Sequence, residues 1–167
     1  MLTIYQKSLY LIILNATMIT RSIGKTLKNR NSRKTLKHYK KRLFKKLIFL
    51  SKKLEHGTLT EDAIIRAIED LANEFSISFG QSQKAINVIL KYHYYLNNLE
   101  NQSIKNILHC PLDSKIIKKL NKKRISLTKI DKREYLSLQE KISKISKCKV
   151  CFDDHWDKQH LQDEGLL

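Results

Sequence analysis

The sharpest pattern in the chain is a stripe of apolar positions at helical spacing. Leu36, Tyr39, Leu43, Leu47, Leu50 and Leu54 recur at steps of three and four. One face of a 3.6-residue helix repeats at this interval, so the spacing predicts an amphipathic helix over 33–54. Lys34, Lys37, Lys41, Lys45 and Lys52 fall largely off the stripe and give that helix a cationic face. Gly57 ends it. Thr60, followed by Glu61 and Asp62, opens the next helix. A hydroxyl cap and first-turn carboxylates both satisfy the free N–H groups of a helix start. Its apolar positions are Ile64, Ile65, Ile68, Leu71, Ala72 and Phe75, and Phe79-Gly80 is expected to close it. Upstream, residues 3–20 read as a helix that is apolar on most sides and therefore central. Residues 21–32, basic and weakly patterned around Gly24, read as a connection or mobile loop. Downstream, Ile86, Val88, Ile89, Leu90, Tyr92, Tyr95 and Leu96 surround the wheel of a helix over 82–98, which predicts the most buried element. Pro111 suits the first turn of a short helix ending near Leu120, and a further helix spans Asp131 to Ser146.

These elements make an all-α fold, a compact bundle of five or six helices around a central buried helix near 82–98. The single Pro and four Gly leave too few turn signals for a sandwich or barrel. At 167 residues the chain is long enough to bury a core without staples. Residues 1–147 are expected to form the basic bundle, with 148–167 as a short Cys-, His- and acid-bearing tail packed on the same domain. The apolar run Leu9–Leu14 is broken at Asn15 and Thr17, short of the roughly 18 residues that span a bilayer. It also lacks the flanks of a signal peptide. No transmembrane segment and a cytoplasmic location are therefore expected.

Charge changes the picture more than composition does. The first acidic residue is Glu55, and residues 1–54 hold fifteen Lys and Arg. The other 113 residues are close to balanced, with eighteen basic and sixteen acidic groups. A one-sided field of this size attracts polyanions. The candidate nucleic-acid-binding residues are Lys25, Lys28, Arg30, Arg33, Lys34, Lys37, Lys41 and Lys45. A second basic patch, Lys118 to Arg124, adds Lys118, Lys119, Lys122, Lys123 and Arg124. Lys and Arg at helical spacing can follow a sugar-phosphate backbone, with counterion release driving the binding. An acidic protein partner is the competing reading. A membrane surface is disfavoured because the apolar faces are needed for the core. Tyr92, Tyr94 and Tyr95 with His93 form an aromatic cluster that could stack on unpaired bases and tilts the choice slightly to RNA. Core filling on a buried helix is the simpler role for that cluster.

Three further constellations bear on chemistry. Cys148, Cys151, His155 and His160 follow a C-x2-C-x3-H-x4-H order, and two thiolates with two imidazoles can complete a tetrahedron around zinc. The run resembles a zinc knuckle in compactness, with His in place of the final Cys. The simpler reading is a helix junction followed by a final helix anchored by Trp156. Arg33-Lys-Thr-Leu-Lys-His38 has the R-x4-H spacing of HEPN-type ribonucleases and resembles their motif, with Lys34 where that family carries Asn, Asp or His. The resemblance implies a metal-independent ribonuclease in which His38 acts as general acid and base and Arg33 holds the scissile phosphate. His109, beside Cys110, is a candidate pocket residue, with Gln81, Gln83, Lys84 and Asn87 as a polar set opening the buried helix. No P-loop, GxGxxG, GxSxG or HExxH run is present. The sequence thus favours a non-enzymatic nucleic-acid-binding protein, either an accessory subunit of a nucleoprotein complex or a regulator. A HEPN-like ribonuclease and an acidic-partner module are the alternatives.

Overall fold

The computed structural model describes residues 3–16, 19–31, 35–97, 99, 101–121 and 125–166, with backbone alone at 16, 121, 153, 155–157, 159 and 160. All regular structure among them is helical. The order is α1 (Ile4–Ala16), α2 (Ile19–Asn29), α3 (Leu36–Glu55), α4 (Glu61–Phe75), α5 (Phe79–Leu96), α6 (Gln102–Ile107), α7 (Ser114–Asn121), a 3-10 turn (Leu127–Lys129), α8 (Lys132–Ile145) and α9 (Cys151–Asp163). α5 is the hub: α1, α2, α3, α4, α8 and the 3-10 turn all pack on it. The all-α bundle and its central helix match the sequence reading. The number of helices exceeds it, because several elements are too short to show a period of their own.

The stripe on α3 is buried as its spacing requires. Tyr39, Leu43, Leu47, Leu50 and Leu54 all lie in the core, against α4 and α5. Local caps set the helix ends. Thr35 Oγ1 accepts the His38 N–H, Thr60 Oγ1 accepts the Ala63 N–H, and Asp131 accepts the Glu134 N–H. Gly57 has φ 68°, the left-handed conformation that glycine adopts without a Cβ penalty after a helix.

Five expectations are corrected. Residues 21–32 are not a loop for most of their length: Ile19, Ile23 and Leu27 recur at every fourth position and bury one face of α2. The expected helix over 3–20 is instead α1, ending at Ala16, with α2 beginning at Ile19. α1 is also not central. Its Tyr10, Ile13 and Leu14 are buried, but Ile4, Tyr5 and Ile12 are more than half exposed. Gly80 does not close α4. Ser76, in the left-handed region, ends α4, and Ser78 caps α5 through a reciprocal bond with Gln81. Gly80 lies inside α5, where its N–H donates to the Ile130 carbonyl and a Cβ would stand 2.2 Å from the Leu127 carbonyl oxygen. Pro111 precedes the short helix rather than entering it, and Asp113 caps α7 by accepting the N–H groups of Lys115 and Ile116.

Candidate nucleic-acid interface

α3 projects its charge away from its leucine stripe. Lys37, Lys41, Lys45 and Lys52 are exposed, as are Lys25 and Lys28 on α2. Four turns of helix therefore present cations with one apolar face locked in the core behind them. Arg30 is exposed as well, yet its guanidinium donates to the Ser76 carbonyl and so also ties the end of α2 to the α4–α5 corner. Lys118 and Lys119 are exposed on α7, with the Lys119 ammonium 5.2 Å from the centre of the Phe152 ring. Arg33, Lys34, Lys122, Lys123 and Arg124 lie outside the described residues.

The acids of α4 meet part of this field. Arg42 Nε donates to Glu74 at 2.9 Å, and Lys46 Nζ to Asp70 at 2.6 Å. These half-exposed pairs add little stability, of order 0–1 kcal/mol each, but they fix how α3 lies against α4. Lys132 on α8 makes a similar pair with Glu69 at 3.0 Å. Between α3 and α4 opens a groove of about 540 Å³, with Arg42, Lys45, Lys46, Lys53 and Arg66 among its lining. Phe49 stands in it, 55% exposed. A neighbouring cleft of about 430 Å³ runs past Lys37, His38 and Lys41 and shares Arg42 and Lys45 with the first. The groove was not predicted. The available signal was Phe49, a large apolar residue off the buried stripe of its own helix.

Both ends of the α3–α4 turn are anchored by buried hydrogen-bond relays. On α3, Ser51 and Tyr10 share a bond of 2.8 Å, Tyr10 reaches His93 Nδ1 at 2.5 Å, and His93 Nε2 reaches Glu55 at 3.0 Å. On α4, Asn87 donates to the Tyr135 hydroxyl at 2.9 Å, Tyr135 reaches His109 Nδ1 at 2.5 Å, and His109 Nε2 reaches Glu61. With the imidazole neutral and the carboxylate ionised, one proton assignment satisfies each chain. The phenol donates to Nδ1, so the neutral imidazole carries its proton on Nε2 and donates it to the carboxylate. Lys149 donates to Glu61 at 2.7 Å; its 3.2 Å approach to His109 Nε2 brings two donors together and is not a bond. The segment carrying His109 is clamped by two buried glutamines. Gln83 bonds the N–H and carbonyl of Leu112, and Gln139 those of Cys110. Gln83 from the start of α5 and Gln139 from α8 thus pair the backbone of a buried connection. Both imidazoles are themselves buried, so a substrate does not reach them, and they act by holding Glu55 and Glu61.

Burial holds His93 and His109 below the ordinary imidazole pKa, with Glu55 and Glu61 opposing. Glu61 is brought down to about 2, first by the hydrogen bond from His109. Tyr10 is pushed up to about 12 by burial. The unfolded chain therefore takes up protons at both histidines before the folded one does. Their contribution to stability is complete above the ordinary value of 6.5 and is lost as pH falls below it. Glu61 contributes stability above its ordinary 4.5 and loses it as pH falls toward 2. The melting temperature is expected to be flat near pH 7 and to fall progressively below about pH 6. Calorimetric melts across that range, with imidazole NMR titration, check this. Ordinary histidine titration with an unchanged melting temperature would contradict it.

The remaining candidates separate. Cys148 and Cys151 form a disulfide, with Cα atoms 5.3 Å apart. In this oxidised form neither sulfur is a zinc ligand. The side chains of His155, Trp156 and His160 lie outside the described residues. Among those described, no group of three or more His, Cys, Asp or Glu is placed to hold a metal ion. Cys110 is buried and takes no part in a disulfide. His38 is exposed at the edge of the second cleft, its ring edge-on to Phe75 at 5.5 Å; its expected partner Arg33 falls outside the described residues. The tyrosines of α5 fill space: Tyr94 is buried, and the Tyr95 hydroxyl donates to Asp154 at 2.7 Å, beside the Lys91–Asp154 pair at 3.2 Å. No helix among the described residues is long and apolar enough to cross a membrane. No known protein family, curated protein or solved structure matches this chain.

Proposed function

We propose that the protein binds nucleic acid through the cationic face of α3, with α2 extending the surface, and that it does so without cleaving its ligand. The observation carrying this reading is the run Lys37, Lys41 and Lys45, exposed along one helix in a segment of 54 residues without an acid. Successive members are four residues apart, about 6 Å along the axis. The buried stripe behind them keeps the lysines on a rigid support, so their charges face one way. The neutralising acids of α4 engage Arg42 and Lys46 and leave this outer run uncompensated. A phosphate backbone is the common biological polymer with matching charge density.

The test is a filter-binding assay with single- and double-stranded RNA and DNA at several salt concentrations. If about five phosphates are neutralised, log affinity should fall with log salt at a slope of about −3.5 to −4.5. A flat response, or binding no tighter than ~0.1 mM at low salt, would remove the proposal. Ligand recovered intact after binding separates this function from a ribonuclease.

A further inference from the structure

Resting on that reading, we infer that the groove between α3 and α4 takes an unpaired nucleotide of a single strand, with Phe49 as the platform on which its base stacks. Phe49 points out of the leucine stripe and is 55% exposed, in a groove whose other prominent side chains are charged. A phenyl ring offers no hydrogen-bonding group, so an occupant meets it with an apolar surface. The surrounding cations require that occupant to carry negative charge. Lys45, Lys53 and Arg66 have no ion-pair partner among the described residues and remain available to it. Lys53 Nζ lies over one face of the Phe49 ring, 5.2 Å from its centre, so the base takes the other face or displaces a mobile lysine, with a positive charge at hand in either case. A flat apolar face joined to an anion within a few ångströms is the chemistry of a nucleotide.

The form of the nucleic acid follows from what each form exposes. A duplex keeps its base faces stacked inside and would present only phosphates to Phe49. An unpaired strand presents both groups at once, and base–aromatic stacking tolerates any base because every base has a π face. The opposite wall gives room for a ring at the small side chains of Ala63 and Ala67, which line it from α4 along with the charged Asp62, Arg66 and Asp70. A volume of about 540 Å³ lies within the range of ligand clefts, ~300–1,000 Å³. Asp62 and Asp70 also line the groove, so it is not a uniform phosphate channel, and Asp70 is held by Lys46. A strand, rather than a free nucleotide, is indicated by the second cleft. It continues past Lys41 and Lys37 and shares Arg42 and Lys45 with the first, giving the neighbouring phosphates a path along α3.

Fluorescence anisotropy on the full chain tests this, with labelled oligo-uridylate, oligo-thymidylate and a duplex hairpin, each of about 12 nucleotides per strand, within the site sizes of single-strand binders. Phe49→Ala should weaken both single strands by roughly 5- to 150-fold, the range for one stacked base. It should leave the duplex affinity and the salt slope unchanged. Phe49→Tyr, which keeps a ring, should restore single-strand binding. Melting curves of both variants should match the parent, because the ring is largely in solvent. A response confined to one of the two single strands keeps the platform and tells RNA from DNA. Equal losses on duplex and single strand, or none on any, would overturn the stacking role and leave the cationic interface standing. Absence of salt-sensitive binding to all three would remove both proposals. Competition by free uridine monophosphate as strong as that of the unlabelled strand would overturn the strand as occupant.

Discussion

Replacing Lys37, Lys41 and Lys45 together with glutamine is expected to weaken nucleic-acid binding on the order of 100-fold at ~0.1 M salt. The same change should reduce the salt slope by about 2 to 3, since each lost phosphate contact removes about 0.7–0.9. All three side chains are exposed, and none makes an ion pair among the described residues. Their removal therefore costs the fold little, and glutamine keeps good helix propensity. Circular dichroism and thermal melting should match the parent chain. Unchanged affinity with a large drop in melting temperature would show that the lysines serve the fold and not a ligand. The salt slope is the stronger readout, because a variant that is partly misfolded loses affinity without changing the number of ions released by its folded fraction.

The opposite substitution on the same helix should have the opposite profile. Leu43→Ala is expected to cost roughly 2–5 kcal/mol, the range for truncating a buried leucine. Leu43 has no exposed surface and sits mid-helix on the face packed against α4 and α5. A chain of this size loses about 2–4 °C of melting temperature per kcal/mol, so a drop of at least several degrees should appear in a thermal scan. The folded fraction should keep its affinity, because no cation has been touched. A loss well under ~1 kcal/mol would mean that the site collapses around the smaller side chain or that it is not enclosed.

The two faces of α3 act together through the turn that follows it. Glu55 closes α3 and Glu61 opens α4, and each carboxylate accepts from a buried histidine that in turn accepts from a buried tyrosine. The α3–α4 hairpin is thus pinned on both sides of its turn to α1, α5 and α8. Arg42–Glu74 and Lys46–Asp70 then set the width of the groove. The surface proposed to bind a polyanion thus sits on a part of the bundle pinned at its base.

Sequence alone determined the fold class, the amphipathic helix α3, the opening of α4, the span of α8 and the central position of α5. Each is encoded within a few turns of chain. Apolar residues repeat at the helical period, and Thr35, Thr60, Asp131 and Gly57 act on backbone groups a few residues away. The exposed lysines were readable for the same reason, since a residue opposite a buried stripe has nowhere to go but solvent. α2 escaped that reading because Gly24, Asn29 and Asn31 mask three apolar positions whose burial is supplied by α1, α3 and α5. Gly80 looked like punctuation, and only the approach of the Leu127 carbonyl explains its missing side chain. The relays lay beyond any local pattern. Tyr10 meets His93 across 83 positions, and Glu61 meets His109 across 48. The groove depends on the placement of α4 beside α3, which turns Phe49 from one off-stripe residue into the centre of a cationic cleft. Periodicity and caps are short-range and survive in one dimension. Partner choice among buried polar groups is settled only when packing excludes water and leaves each donor a single acceptor.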